Sequence, residues 1–227
     1  MKKSNKKTTF AMAGKQLLAL VAATLTIGGV VNPALAANGR TTVVKKSSAI
    51  VQSSTIKINN SLTDMVAQAS QGRVVTEAVN WACNSEEAKN FAQEALYLTN
   101  QIRAGVGSQS LVLSSDLNRA AAVRVVEMAR ADTLSHTRPN GSSYNTIVDV
   151  LCGENILYRR LGSNESEEDL IKILMNQWRN SEGHYKNMCN TRYTRMGVAF
   201  YKSENGKWFG CQIFTRDDEV KVIDIVR

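Results

Sequence analysis

MGVAFYKSENGKWFGCQIF, residues 196–214, is the stretch of sequence that decides the fold class. Every second residue from Met196 to Phe200 is large and apolar, and this period of two is typical of a β-strand. Asn205-Gly206 follows, a dipeptide that favours a tight hairpin turn because both residues tolerate positive φ. The segment from Trp208 to Phe214 then predicts the returning strand, so we expect an antiparallel hairpin here.

Upstream of the hairpin, apolar residues recur at helical spacing in three segments. The first helix begins at Ser85, a favourable N-cap followed by two glutamates, and ends at Gly105. A second helix begins near Ser115 and ends before Ser135, and a third begins near Ser166. The apolar stripes of the three helices are Phe91, Ala95, Leu98 and Ile102; Leu117, Ala121, Val125 and Met128; and Ile171, Leu174 and Trp178.

Two shorter segments lie between the second and third helices. Tyr144 to Leu151 predicts a short helix, and the apolar stretch from Gly153 to Tyr158 predicts a strand. The resulting order is helix, helix, short helix, strand, helix and hairpin. This order favours an α+β fold in which helices cover a small sheet.

The first 36 residues have the pattern of an export signal. Five lysines precede or border an uncharged, mostly apolar run from Leu17 to Val31, and Ala34-Leu35-Ala36 provides the small residues that a signal peptidase needs. The run is too short for a membrane-spanning helix, which needs about 20 apolar residues. We therefore expect cleavage between Ala36 and Ala37, secretion to the extracellular space, and no transmembrane anchor after cleavage.

The net charge of +8 suggests an anionic partner such as nucleic acid. The five lysines of the predicted leader supply most of this charge, and without them the net charge is about +3. No cluster of Lys and Arg with interleaved aromatic residues remains after residue 36, so we expect no nucleic-acid partner. A hydrophobic fraction of 43% with 21% charged residues is typical of a globular protein and excludes a disordered one.

Four cysteines lie after the predicted leader. An even number outside the cytoplasm favours disulfide bonds, and the absence of a CxxC spacing argues against a zinc ribbon or a thioredoxin-like site. Three pairings are possible and the spacing selects none of them, although we favour Cys189–Cys211 with Cys83–Cys152. The alternative is that some of the cysteines are small buried thiols.

Two histidines and two glutamates stand in glycine-containing, polar stretches. His136 lies in Ser-His-Thr, Glu154 in Cys-Gly-Glu-Asn, and Glu182 and His184 in Ser-Glu-Gly-His. We expect both histidines to lie in loops. Imidazoles and carboxylates suit a divalent metal ion or general acid–base chemistry, whereas an isolated histidine in a loop is more often an ordinary surface residue.

Several of these stretches resemble the CAP superfamily of cysteine-rich secretory proteins, antigen 5 and plant pathogenesis-related class 1 proteins, especially its bacterial branch. The matching stretches are SHTRPNG at 135–141, GENI at 153–156, QWRNSEGHYKNM at 177–188, LTNQIR at 98–103, and the two hairpin strands. They cover residues 86–215 in the family's order. We therefore divide the chain into a signal peptide at 1–36, a spacer at 37–84, a CAP domain at 85–216 and a C-terminal tail at 217–227.

The resemblance implies an α-β-α sandwich with a cleft that holds two histidines and two glutamates. His136, Glu154 and His184 fill three of these places by motif, and Glu182 is the candidate for the fourth. The bacterial form often has proline at the position of Glu182, and many members carry the second glutamate further upstream. The resemblance also implies Zn²⁺ or another divalent cation in the cleft.

Three functions follow from the resemblance and the residues. The leading hypothesis is a secreted binding module for a metal ion, a small molecule, a lipid or an extracellular protein. The alternative is a metal-assisted, peptidase-like hydrolase in which Glu154 or Glu182 acts as the base. The third is a purely structural or adhesive surface protein with a vestigial cleft. No Gly-x-Ser-x-Gly elbow is present to indicate a serine hydrolase.

Overall fold

The structure is a computed structural model that describes residues 64–65, 67–69, 72–73 and 75–223. The predicted signal peptide, most of the predicted spacer and the last four residues of the tail lie outside the described residues. Within the described part of the chain, none of the helices is both long enough and apolar enough to cross a membrane.

The sheet has four strands in the order β1-β3-β4-β2. They are β1 (Val112–Leu113), β2 (Gly153–Arg159), β3 (Arg195–Lys202) and β4 (Trp208–Thr215). β3 and β4 form the predicted hairpin, β2 pairs antiparallel with β4, and the short β1 pairs parallel with β3. The fold class is therefore α+β with a mostly antiparallel sheet, as the sequence predicts.

The hairpin turn uses positive φ at the glycine of its Asn-Gly dipeptide but not at Asn205. Gly206 has a φ of +81°, in the left-handed region that glycine adopts without strain. The turn is closed by the Ser203 amide, which donates to the Lys207 carbonyl at 2.8 Å. The turn fixes the register that pairs Phe200 with Gly210 and Val198 with Gln212.

The α-helices whose bounds lie within the described residues include α1 (Glu86–Ala104), α2 (Ser115–Ala131), α3 (Leu170–Arg179) and α4 (Glu182–Cys189). The predicted N-cap of α1 is confirmed, since the Ser85 hydroxyl accepts a hydrogen bond from the Ala88 amide at 3.0 Å. Two segments are 3₁₀ turns: Tyr144–Ile147, which is the first half of the short helix predicted for Tyr144 to Leu151, and Glu167–Asp169, which leads into α3.

The alternation of side chains along β2, β3 and β4 separates two hydrophobic clusters, one on each face of the sheet. Ile156, Ala199, Phe209, Cys211 and Ile213 pack on the α2 side. Leu157, Met196, Val198, Phe200 and Phe214 pack on the opposite side with residues of α1 and α3. The domain is therefore an α-β-α sandwich.

Gly197 allows α2 to approach the sheet closely. A Cβ at this position would lie 2.0 Å from the Leu117 carbonyl carbon and 2.3 Å from the Asn118 nitrogen. Both are backbone atoms of α2, so no rotamer change would relieve the clash. Asn118 uses this proximity, because its side-chain oxygen accepts a hydrogen bond from the Val198 amide at 2.9 Å.

The structure differs from the sequence-based expectations in three places. Residues 182–189 form helix α4, whereas we expected a loop around His184. Residues 75–84 fall in the predicted spacer, yet they are helical and bury Val75, Val79 and Ala82 in the α2-side cluster. The boundary of the family domain at residue 85 stays a prediction, while packed structure begins before it.

The third difference concerns the disulfide pairing that we favoured. All four cysteines lie in the described part of the chain and are free thiols. Cys211 faces the α2 side of the sheet, whereas Cys189 ends α4, whose Met188 packs into the cluster on the opposite side. The sheet therefore separates Cys189 from Cys211.

Candidate functional site

A buried carboxylate lies at the centre of the site. Glu154 is 4% exposed and is the second residue of β2, on the same face as Ile156 and therefore towards α2. One carboxylate oxygen accepts a hydrogen bond from Arg124 Nε at 2.8 Å, and the other lies 2.6 Å from His136 Nδ1. The Cys211 thiol also donates, at 3.7 Å, to the carboxylate oxygen that Arg124 contacts. Both oxygens of Glu154 are thus engaged.

Arg124 connects this carboxylate to the rest of α2 and to the loop that carries His136. Its fully buried side chain also donates to Glu127 at 2.7 Å and to the Ser135 carbonyl at 2.5 Å. Burial alone would lower the pKa of the Arg124 guanidinium, but the charge of Glu154 and the hydrogen bonds to Glu154 and Glu127 raise the pKa above its usual value. Arg124 is therefore a permanent positive charge inside the domain.

Glu127 extends the network to a second buried arginine. Arg138 Nη2 donates to Glu127 at 2.7 Å, and the Arg138 side chain is 2% exposed. The segment from Ser135 to Arg138 is thus tied to α2 at both ends, by the Ser135 carbonyl and by Arg138. These contacts fix the backbone position of His136.

His136 has one restrained and one accessible ring nitrogen. Its Nδ1 atom lies against Glu154, which favours the tautomer with the proton on Nδ1. The ring packs beside Tyr144, with 5.5 Å between the two ring centroids, and 54% of the side chain is exposed. This orientation leaves the Nε2 lone pair for a ligand.

The opposite face of β2 positions His184. Asn155 follows Glu154 in the strand and therefore points to the other side of the sheet, where it donates to the His184 carbonyl at 3.1 Å. Asn187 of α4 donates to the Asn155 side chain at 2.9 Å and to the Glu154 carbonyl at 3.3 Å. These asparagines hold α4 against the start of β2.

His184 itself has an unusual environment. Its Nδ1 atom is buried and has no hydrogen-bond partner within the described part of the chain. Burial lowers the pKa of His184, and the nearby charge of His136 lowers it further. The imidazole is therefore neutral at pH 7, the form that coordinates metal ions.

The structure brings two of the four predicted site residues, His136 and Glu154, into contact. His184 is held from the opposite face of β2 by Asn155, and its link to His136 is an electrostatic contribution to its lowered pKa. Glu182 instead has an 83% exposed side chain that pairs with Lys186 at 2.6 Å. Among the described residues, no group of three or more His, Cys, Asp and Glu side chains is arranged to hold a metal ion.

Sequence reasoning missed the two buried arginines and Glu127. Arg124 and Glu127 interrupt the otherwise apolar sequence AAAVRVVEMA of α2, residues 120–129. Charged residues on a helix whose surroundings are buried require partners, and this signal could have indicated a buried ion network. Nothing local to the sequence indicates that the partner is Glu154, which lies 30 residues further along.

The outer edge of β2 is covered by side chains. β2 is the last strand of the sheet, so the carbonyls on its far side have no strand to pair with. Tyr144 donates to the carbonyl of Cys152, just before the strand, at 3.4 Å, and Gln177 donates to the Tyr158 carbonyl at 3.4 Å. Together with the bond from Asn187 to Glu154, these contacts come from three different elements.

Comparison with known proteins gives one family. The model of the cysteine-rich secretory protein family, CAP, matches residues 96–214, just over half of the chain. A curated relative, "Uncharacterized protein YkwD" of Bacillus subtilis (strain 168), is 26% identical over 141 residues, which make up 60% of this chain and 52% of the relative. The chain thus spans about half the length of the curated relative that it matches.

Solved structures similar to this chain include two bacterial proteins. An extracellular protein containing a SCP domain from Bacillus anthracis is 27% identical, with a TM-score of 0.47, and the match covers 57% of this chain and 41% of that one. An outer surface protein from Borrelia burgdorferi is 16% identical, with a TM-score of 0.45, and the match covers 55% of this chain and 92% of that one.

Proposed function

Because the chain belongs to the cysteine-rich secretory protein (CAP) family, we propose that it is a secreted binding protein whose ligand site is the imidazole pair His136 and His184. The observation that carries the proposal is the Nδ1 of His184, which is buried and has no hydrogen-bond partner among the described residues. A buried polar atom without a partner costs about 1–3 kcal/mol, and a bound group that accepts or supplies a hydrogen bond or a metal bond removes that cost.

The donor set fits a divalent cation such as Zn²⁺ in part. Neutral imidazoles are good zinc ligands, and His136 and His184 would supply one nitrogen each. Glu154 is better suited to orient His136 than to bind the ion, because Arg124 and His136 occupy both of its oxygens. A carboxylate that fixes the ring of a metal-binding histidine is a common arrangement.

Two protein nitrogens leave the remaining coordination positions of a cation to water or to a ligand. The proposal therefore predicts weak metal binding that a second ligand strengthens, such as a small molecule, a lipid or a side chain of an extracellular protein partner. Glu182 has no role in this form of the proposal, since its carboxylate is exposed and paired with Lys186.

The site favours binding over hydrolysis. A base for metal-assisted hydrolysis needs a carboxylate that can take a proton from water. Both oxygens of Glu154 are already engaged, one by Arg124 and the other by His136, so neither is free to take a proton from water. The metal-assisted hydrolase therefore has less support than the binding module.

Thermal unfolding of the full chain with and without Zn²⁺ tests the proposal. We expect Zn²⁺ to raise the Tm, since a ligand that binds only the folded state stabilises it. The H136A and H184A variants should lose the shift, while E182Q, which changes the exposed fourth candidate, should keep it. No shift in the unmodified protein, or a shift that survives in both histidine variants, would rule out the imidazole pair as the site.

A peptide-turnover assay distinguishes the alternative. Activity that is lost both in H184A and on chelation would support the hydrolase. Secretion is tested separately by mass spectrometry of the protein recovered from the culture medium, where we expect an N-terminus at Ala37. An intact N-terminus on cell-bound protein would contradict the proposed export.

A further inference from the structure

A small cavity lies at the end of the sheet beside the start of β2. Its volume is about 170 Å³. None of the described residues that line it is acidic, and two are arginines. The lining residues are Leu151, Cys152, Asn190, Arg192, Tyr193 and Arg216.

The two arginines differ from their neighbour Arg195 in their lack of partners. Arg195 pairs with Asp218 at 2.8 Å. In contrast, neither the Arg192 nor the Arg216 guanidinium has an ion pair or a hydrogen bond with any residue in the described ranges. The carboxylate of Asp217, next to Arg216, accepts a hydrogen bond from the Thr215 hydroxyl at 3.1 Å. Two positive charges therefore face this cavity without a carboxylate in its wall.

The backbone that carries Arg192 is held firmly. The Arg192 amide donates to the Asn190 side chain at 3.0 Å. The fully buried Arg103 of α1 donates to the Asn190 carbonyl at 2.9 Å and to the Tyr193 carbonyl at 3.1 Å. A buried arginine thus clamps the turn on both sides of Arg192.

Arg216 is attached to the same turn from the other side. It directly follows β4, and its carbonyl accepts a hydrogen bond from the Thr194 hydroxyl at 3.2 Å. The Thr194 amide donates to the Thr215 carbonyl at 3.0 Å. Both arginines therefore leave a backbone whose position is fixed, while their exposed side chains can adjust to a ligand at the cavity.

The aromatic wall of the cavity is also built into the fold. The Tyr193 ring stacks on Phe214 with a centroid separation of 5.5 Å and an interplanar angle of 14°. It approaches Gly153 so closely that a Cβ there would lie 2.4 Å from the phenol oxygen. Leu151 adds an apolar side chain at the rim, which is 76% exposed.

We infer that this cavity binds an oxyanion, a phosphate or a carboxylate, carried on an apolar chain. Arginine guanidinium groups bind both anions through paired N–H donors, and two of them at one cavity supply charge as well as direction. Leu151 and the face of Tyr193 would contact the apolar part of the ligand. This site goes beyond the imidazole pair and does not depend on a metal ion there.

Isothermal titration of the full chain with monodecyl phosphate below its micelle concentration tests the inference. We expect saturable binding that weakens about tenfold or more in R192Q and in R216Q, because each variant removes one charged donor group. The matched control is R179Q, which removes an exposed arginine of α3 that lines a different cavity. R179Q should bind as the unmodified protein does.

Competition by inorganic phosphate identifies the source of the anion. Weak displacement supports an anionic lipid whose chain contributes to binding, whereas full displacement at similar concentrations would contradict a role for the apolar chain and leave a free oxyanion as the ligand. Decyl maltoside, which has the chain without the charge, should not compete. Absence of saturable binding, or binding that is unchanged in the R192Q/R216Q double variant, would overturn the inference.

Discussion

Replacing Arg124 by methionine should strongly destabilise the domain. The R124M variant keeps the length and apolar body of the side chain but removes the charge, so the buried Glu154 loses the permanent positive charge beside it and keeps its contacts with the His136 ring and the Cys211 thiol. Removing one member of a buried ion pair costs about 3–5 kcal/mol, because the other charge stays in a low-dielectric environment. Glu127 contributes less to this loss, since Arg138 still pairs with it at 2.7 Å.

The assay is urea unfolding followed by tryptophan fluorescence. Trp178 and Trp208 are buried in the cluster that packs against α1 and α3, so their emission reports loss of the core. We expect a lower midpoint with an unchanged slope, which indicates a change in stability rather than in the surface exposed on unfolding. The control is R130M, a change of an exposed arginine of the same helix, which should stay within about 0.5 kcal/mol of the unmodified protein.

The double variant R124M/E154M separates the ion pair from simple packing. It removes more native contacts than R124M, yet it leaves no unpaired carboxylate, so it should be more stable than R124M alone. The reasoning would be refuted if R124M lost less than about 1 kcal/mol, or if the double variant were less stable than R124M by the full effect of E154M.

Three further perturbations test the packing. G197A should lower the free energy of unfolding measured in urea by more than about 3 kcal/mol, because the new methyl group would clash with the backbone of α2. The matched control is G183A, which adds a methyl group in open space within α4. It should be neutral or stabilising by up to about 1 kcal/mol. Burial and the charge of Glu154 raise the pKa of Cys211 well above its usual value. We therefore expect Cys211 to resist alkylation by iodoacetamide at pH 8 until urea unfolds the protein, as measured by peptide mass spectrometry. Alkylation of Cys211 in the folded protein would contradict its buried position. R103M should lower the free energy of unfolding measured in urea by about 3 kcal/mol or more, because four backbone carbonyls lose the side chain that donates to them. A decrease below about 1 kcal/mol would contradict the role of Arg103 in fixing this turn.

The elements that the sequence predicts correctly carry their own local signals. The hairpin has a period of two and an Asn-Gly turn, and α1 and α2 have helical stripes with serine N-caps. The fold class follows from the order of these elements. The family resemblance adds His136 and Glu154 as members of one site, and the structure places them in contact.

The remaining features depend on contacts between distant parts of the chain. The sequence of α4, EGHYKNMC, has one fully buried residue, Met188, so its helical pattern is weak; Asn155 and Asn187 help to fix it against β2. The two-residue strand β1 exists because β3 offers a partner. The separation of Glu182 from the other candidates follows from the direction of its side chain at the first turn of α4, which the spacing to His184 does not reveal.

The covered outer edge of β2 has a consequence for self-association of the protein. An uncovered edge strand is a template on which another extended chain can add by backbone hydrogen bonds. Here the carbonyls of Cys152, Glu154 and Tyr158 already accept side-chain donors. Asn187, which helps to position His184, therefore also hinders strand addition at this edge. Loosening α4 would expose the edge and favour self-association of the protein through its sheet.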